Sequence, residues 1–427
     1  MITNPETKKS LRTIVATQCI GLLVSQLFVN GFMLAYLSRL GVPSYQIFFL
    51  LALLPFGGML LTVPFAYLSD RFGKKRVGAY GRFVTVAGLI LLLSAGFTTE
   101  AATITATGAM ILFSIGNTAG AASWFALLSP IIPQEIRGRF FGRLRIAWQS
   151  CSIIFTWAVI ALMNRFTQIG FYQYILLVMI ATSLVHIHLY WKIPELEPCR
   201  TTAGKFRSAL TQTLKTPNYL PFCAYTFLLI LFTGSIPLVI GLLGKDILLF
   251  SDAQILLVGN SAAIGALGGF YIGGKMVDHI GTRPVFLICH VSFAIVLTLI
   301  ALRGICPFPA ITTVCLLSGL FGAVAAASGI AFTSELLAII PPENKSLSTG
   351  FHLSLMSAGF ALSSLLIGQT LKLNVLNQNW TFLNQSLSTY DTLLLGSAAM
   401  IILMLITIGL IPSIIQVHKA QWYPQSR

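Results

Sequence analysis

Charge is scarce in this chain. Of its 427 residues only 9% are Asp, Glu, Lys or Arg, and only 12 are acidic. Water-soluble domains carry about 25% charged residues, so this composition cannot cover a globular surface and a soluble fold is excluded. Catalytic signatures are missing too. There is no HExxH, no Walker loop and no GxSxG, and no segment outside the apolar runs is long enough to fold as a catalytic domain, so an enzyme is not expected. The seven cysteines form no CxxC and no Cys/His cluster, and Cys19, Cys151, Cys223, Cys289 and Cys315 sit inside apolar stretches. They read as small core residues, with no metal and no cofactor implied. The alternation of membrane barrel strands is also absent.

What the chain has in abundance is apolar length. Hydrophobic residues make up 56%, and the mean hydropathy is +0.84. Crossing a hydrocarbon core takes about 20 apolar residues of helix. Twelve such spans are predicted, roughly at 14–38, 46–69, 77–97, 103–129, 144–166, 170–191, 219–244, 253–277, 285–304, 310–338, 347–371 and 390–414. The first follows Lys8, Lys9 and Arg12 and is too long for a signal-peptide core, so it reads as a retained span. Cytoplasmic loops of membrane proteins are enriched in Lys and Arg. With the N-terminus inside, 22 of the 27 basic residues fall on the inner side, leaving Arg39, Arg165, Lys245, Arg303 and Lys372 outside. Both termini are therefore expected in the cytoplasm. The same split accounts for the net charge of +15 without a nucleic-acid partner.

The stretch from Lys192 to Asn218, rich in Pro, Thr, Lys and Arg, parts the spans six and six. The expected division is a bundle over 1–192, a cytoplasmic linker over 193–218 and a second bundle over 219–427. The halves repeat at one offset of 208 residues: Gln46 and Gln254, Ile47 and Ile255, Gly57 and Gly265, Asp70 and Asp278, Gly73 and Gly281, Pro133 and Pro341, Glu135 and Glu343. Repeated bundles of this kind place a solute path between them. The loop Ala66-Tyr67-Leu68-Ser69-Asp70-Arg71-Phe72-Gly73-Lys74-Lys75-Arg76 has its counterpart at Gly274 to Arg283. In these loops the chain resembles the major facilitator superfamily, whose signature is Gly-x-x-x-Asp-Arg-x-Gly-Arg/Lys-Arg/Lys. The first copy has Ala66 for the leading Gly, and the second has His279 for the Arg. The resemblance implies an all-α fold of twelve transmembrane helices in two six-helix bundles. It also implies alternating access and a cytoplasmic latch formed by Asp70, Arg71 and Gly73. The blander reading of Lys74, Lys75 and Arg76 is topology alone, among anionic headgroups.

Other positions complete the expected gate. Arg137 enters span five after Pro130 and Pro133, and Asp278 and Arg283 lie in the second loop. Glu335 reads as the acidic residue inside a span, with Arg283 or Lys275 as its partner. Solute-binding candidates are polar groups near mid-span: Gln26 and Asn30 as an i, i+4 pair, Asn117, Trp124, Asn260 and Ser357. Span five carries Arg145, Gln149, Ser152 and Thr156 on one face, which would be costly against lipid. Each single Asn, Gln or Ser has the alternative of bonding a neighbouring helix. His352 reads as a polar residue of the cytoplasmic end, and Gly265 with Gly269 as a close-packing pair.

The expectation is a monomeric secondary transporter in a bacterial inner membrane, moving a small polar organic solute. The cation Arg145 favours an anion or zwitterion. A drug or metabolite exporter and a non-transporting sensor on the same fold are the alternatives. Span five, from Ser152 to Ile160, lacks the Gly-Pro signature of drug/proton antiporters. The sugar-porter ending is represented only by Ile193-Pro194-Glu195-Leu196-Glu197.

Overall fold

A computed structural model describes residues 5–29, 31–97, 101–128, 130–132, 137–166, 168–196, 206–340, 345–376, 380–382 and 385–409. Asn30, the stretches 133–136 and 341–344 and the linker residues 197–205 are among those that lie outside them. The described chain is almost wholly helical, as apolar sequence in lipid must be, since only internal hydrogen bonds are available to its backbone. Among the described residues, 11 helical stretches are long and apolar enough to cross a membrane.

The first half of the chain comprises α1 (Pro5–Gln26), α2 (Phe32–Arg39), α3 (Ser44–Phe72), α4 (Lys74–Ala95), α5 (Ala102–Leu128), α6 (Arg137–Met163) and α7 (Ile169–Trp191). A short helix, α8 (Phe206–Leu214), precedes the second half. There follow α9 (Tyr219–Thr233), α10 (Ile236–Leu242), α11 (Asp252–Ile280), α12 (Thr282–Ala301), α13 (Ala310–Ile339), α14 (Lys345–Leu373) and α15 (Thr389–Met404). Between α14 and α15 the antiparallel strands β1 (Trp380–Phe382) and β2 (Gln385–Leu387) pair, Trp380 opposite Leu387.

Two expected spans are broken. The span expected over 14–38 stops as a helix at Gln26, turns, and restarts at Phe32 behind Gly31, whose φ of 93° is left-handed. Gln26 is therefore the last residue of its helix, and the expected Gln26–Asn30 pair falls partly outside the described residues. The span expected over 219–244 breaks at Gly234 and Ser235, and α10 restarts with Pro237 in its first turn. A proline there lacks an N–H that the first turn would leave unbonded in any case. The broken segment continues into a π-helical turn, Leu243–Ile247. At the 208-residue offset Gln26 corresponds to Gly234, so the two breaks fall in the same register.

The signature glycines do the same work in both halves. Gly73 (φ 103°) joins α3 to α4 and Gly281 (φ 83°) joins α11 to α12. Side chains rarely adopt that φ, so each one-residue connection depends on glycine.

Packing is closest where small residues let backbones meet. A Cβ on Gly265 would lie 1.8 Å from the Gly319 carbonyl oxygen, one on Gly269 2.1 Å from that of Ala323, and one on Gly322 2.0 Å from that of Ala262. Helix α11 thus lies against α13 nearly backbone to backbone, as Gly265 and Gly269 suggested. Helices α4 and α5 meet likewise, since a Cβ on Gly116 would lie 2.4 Å from the Gly81 carbonyl oxygen. Between the halves, α3 packs on α14 and α6 on α11.

Gly265→Ala should force α11 and α13 apart at a cost of about 1–3 kcal/mol. Gly268→Ala, where a Cβ meets no atom within 4 Å, should be neutral or stabilising by about 0.5–1 kcal/mol. Thermal melting of the purified variants in detergent separates the two, and equal melting points would contradict the tight α11–α13 contact.

Candidate functional site

Helix α6 carries its polar stripe toward α11. The Gln149 amide donates to the Ala263 carbonyl at 3.4 Å, and the Arg145 guanidinium lies 5.6 Å from the Phe270 ring centroid. Gln149, Ser152 and Thr156 are 4%, 2% and 1% exposed. The stripe is thus largely buried, and at Arg145 and Gln149 it meets the other half of the chain. Asn260, also on α11, is 1% exposed, and both polar atoms of its side chain are unpartnered.

Around the break in the first span, Ser25 Oγ donates to Asn117 Oδ1 at 3.5 Å, and the Phe28 and Phe113 rings stack at 4.1 Å. Asn117 is exposed although it sits in the middle of α5, between buried Gly116 and Thr118. Gln26 ends α1 beside this group, half-buried. Trp124 lies elsewhere, in a buried cluster with Leu11, Ile14, Ala79 and Tyr190. Ser357 marks the α3–α14 contact: a Cβ on Gly58 would approach its hydroxyl at 2.7 Å, and neighbouring Ser354 donates to the Met59 carbonyl at 2.5 Å. His352 is 2% exposed, stacks on Phe222 and has Nδ1 3.7 Å from the Cys223 sulfur, so it is a core residue and not one of the rim.

Of the expected gate residues, Asp70 and Arg71 lie in the last turn of α3, Gly73 follows it, and Asp278 lies in the last turn of α11. Asp70, Arg71 and Asp278 are exposed, and the Arg71 guanidinium lies over its neighbour Phe72 at 5.2 Å. No hydrogen bond or ion pair joins Asp70 to another described residue. Arg137 opens α6, and Arg283 is half-buried in the first turn of α12. The Glu335 carboxylate accepts from the Thr282 hydroxyl at 2.5 Å, while its other oxygen is buried and unpartnered. Lys275, one of its two expected partners, is exposed with Nζ over the Tyr271 ring. Thr282 is the first residue of α12, so Glu335 lies at a helix N-terminus, where partial positive charge collects. The equivalent N-terminus of α4 also receives a carboxylate: Glu195 accepts from the backbone N–H of Lys74 at 2.7 Å and of Lys75 at 3.4 Å. Lys74 and Thr282 are 208 residues apart. The sequence showed Glu195 only as a fragment of a sugar-porter ending.

Three further groups escaped the sequence reading. Arg82 stacks its guanidinium 3.6 Å from the Tyr190 ring centroid and 5.8 Å from that of Trp124, donating to His186 Nε2 and to the Gly78 carbonyl. Asp391, in the first turn of α15, is a second buried acidic residue and pairs with Arg303, so among the described residues Glu335 is not alone in being buried. The third group closes one end of the molecule. Asp252 accepts from Arg39 at 2.7 Å and Tyr172 at 2.5 Å, and Asp246 from Ser44 at 2.8 Å and Tyr390 at 2.5 Å. Arg39, Ser44 and Tyr172 belong to the first half, Asp246 to the π-helical turn after α10 and Asp252 to the first turn of α11. Ser251 and Gln254 form a capping box that sets Asp252 in the first turn of α11. That box is legible in sequence. The partners more than 200 residues away in the cases of Arg39 and Ser44 are not.

Asp252→Ala should weaken this closed end by roughly 1–3 kcal/mol, because Tyr172 loses its acceptor. Arg39→Ala should cost less than about 1 kcal/mol, since the Arg39 side chain is 45% exposed. Spin-label distances across this end, unchanged in Asp252→Ala, would show that the network does not hold the halves together.

The family model described as Major Facilitator Superfamily matches residues 16–364. No curated protein matches the chain. Among solved structures, the nucleoside transporter NupG in a point-mutant form superposes with a TM-score of 0.69 at 14% identity, over 94% of this chain and 98% of that one. A second NupG structure gives 0.67 at 13%, over 93% and 98%. At such identities the likeness speaks to the fold alone. The family match spans most of the sequence, and on it the chain belongs to the Major Facilitator Superfamily, as a membrane transporter and not an enzyme.

Proposed function

We propose that this transporter moves a small polar organic solute by alternating access between two six-helix bundles, residues 1–192 and 219–427, joined by the linker 193–218. The repeat supports the division, since the signature loops, their left-handed glycines and the two helix breaks recur at the 208-residue offset. The Asp70 end is cytoplasmic by the distribution of basic residues, and the Asp252 end faces outward. The short loops favour a bacterial inner membrane, with the protein acting as a monomer.

The observation that carries the reading is the network of Asp246 and Asp252 with Arg39, Ser44 and Tyr172, which bonds the two halves through carboxylates at the end away from Asp70. With that end held shut and Asp70 unbonded among the described residues, the arrangement corresponds to an inward-facing state. Asn117, exposed in mid-helix beside Ser25 and Gln26, then lines the open path. The other solute-binding candidates of this reading are Arg145, Gln149 and Asn260 at the α6–α11 contact, with Ser152 on α6 and Ser357 on α14. Arg145 would admit an anion or zwitterion if it leaves Phe270. Because NupG transports nucleosides, nucleosides head the solutes to test, with amino acids and organic acids.

Uptake or counterflow into proteoliposomes tests the reading. Saturable uptake of one solute class is expected, and no uptake of any class by folded protein would overturn it. Orientation is tested separately in a cysteine-free background. Leu249→Cys should react with an impermeant thiol reagent from outside, and His279→Cys only after permeabilisation. The latch makes a further prediction: Asp70→Asn should favour the inward-facing state by roughly 1–3 kcal/mol, the worth of one or two charge-assisted bonds made only when the inner side closes. Inner-face distances that stay as in the native protein would reduce this loop to a topology signal.

A further inference from the structure

Asn260 differs from the other polar side chains of α11. It is 1% exposed, and neither its amide nitrogen nor its oxygen has a partner. Buried carboxamides are nearly always bonded, because a desolvated donor or acceptor left alone costs free energy.

Helix register locates it. Arg145 meets Phe270 and Gln149 meets Ala263, so numbering rises along α6 as it falls along α11 and the two helices are antiparallel. Three residues on from Gln149 is Ser152, and three back from Ala263 is Asn260. With equal rise per residue the two stand at one level, each on the face that meets the other helix. Ser152 is 2% exposed and Gln149 is 4% exposed. Three polar side chains from the two halves therefore converge in the apolar depth of the molecule, one making a single long bond and one making none. The α6–α11 contact joins the halves, so a change in their relative position alters the spacing here.

A carboxamide presents an acceptor and a donor side by side. Its complement offers a donor and an acceptor in the same adjacency, as an amide, a lactam or the edge of a nucleobase does. A simple anion satisfies only the donor, and a cation only the acceptor. We propose that in the transporter described above the Asn260 carboxamide, flanked by Ser152 and Gln149, binds a solute bearing adjacent hydrogen-bond donor and acceptor groups when α6 and α11 part during the cycle.

The test is counterflow of radiolabelled uridine by the full chain in proteoliposomes, with uracil and ribose as competitors. Uridine should be carried, uracil should compete through its lactam edge, and ribose, which lacks that edge, should not. Asn260→Leu should raise KM for uridine by at least about tenfold, the equivalent of one lost hydrogen-bonded group, with the maximal rate within a few-fold of native. Ser152→Ala, a smaller change that leaves packing nearly intact, should raise KM in the same direction if Asn260→Leu fails to fold. An unchanged KM in the folded variants would show that Asn260 merely holds a water, and overturn the assignment. Transport of ribose with uridine and uracil inert would overturn it as well, while leaving the transporter reading in place. Failure of the native protein to carry any solute would sink that reading and this site with it.

Discussion

Lipid offers no hydrogen-bond partner, and that constraint governs this molecule. Every backbone group must be satisfied internally, so the chain is helix wherever it meets the bilayer, and a helix end or break needs a specific remedy. The remedies are visible. Gly73 and Gly281 turn in a single left-handed residue, and Ser235 at the second break bonds Ser363 through its backbone N–H and Ser364 through its hydroxyl. Glu195 and Glu335 place carboxylates at the N-termini of α4 and α12. The two halves solve the same problem with carboxylates from different elements, one beyond α7 and one within α13.

With hydrophobicity weak as a force between helices in lipid, association depends on close contact and on polar groups. Within the second half the contact is backbone against backbone at Gly265, Gly269 and Gly322. Between the halves the joints differ along the membrane normal. Carboxylates and hydroxyls bond across the Asp252 end, α3 packs on α14 and α6 on α11, and Asp70 is exposed at the last turn of α3. Glycine contacts are hard to loosen without strain, whereas half-exposed hydrogen bonds exchange readily with water. The chain is thus stiff within the second half and adjustable between halves, which is the distribution that alternating access requires.

Much of this architecture was legible beforehand. Apolar length predicted the spans, the 208-residue repeat predicted corresponding loops, and Gly265 with Gly269 predicted close packing. The misreadings share a cause. Hydropathy is blind to helix continuity, so the turn before Gly31 and the break at Gly234 and Ser235 passed as uninterrupted spans, although Pro237 was a hint. Charge position along the chain directed attention to Lys275 and Arg283 as partners of Glu335 and gave no hint of the Thr282 hydroxyl, from which its carboxylate accepts. His352 lies near a span end in sequence and yet is buried against Phe222, because α14 packs on α9 at that level.

The sequence by itself determined the class of the molecule, because crossing a bilayer imposes a length and a composition that can be counted residue by residue. It determined the family through a loop whose glycine and charges act locally. Only the tertiary structure decided which charges meet. Arg39 with Asp252, Ser44 with Asp246 and the Arg82 guanidinium between Tyr190 and Trp124 are contacts between segments tens to hundreds of residues apart. Nothing in local propensity encodes them, since each depends on how separate helices rotate and slide against one another until their small residues meet.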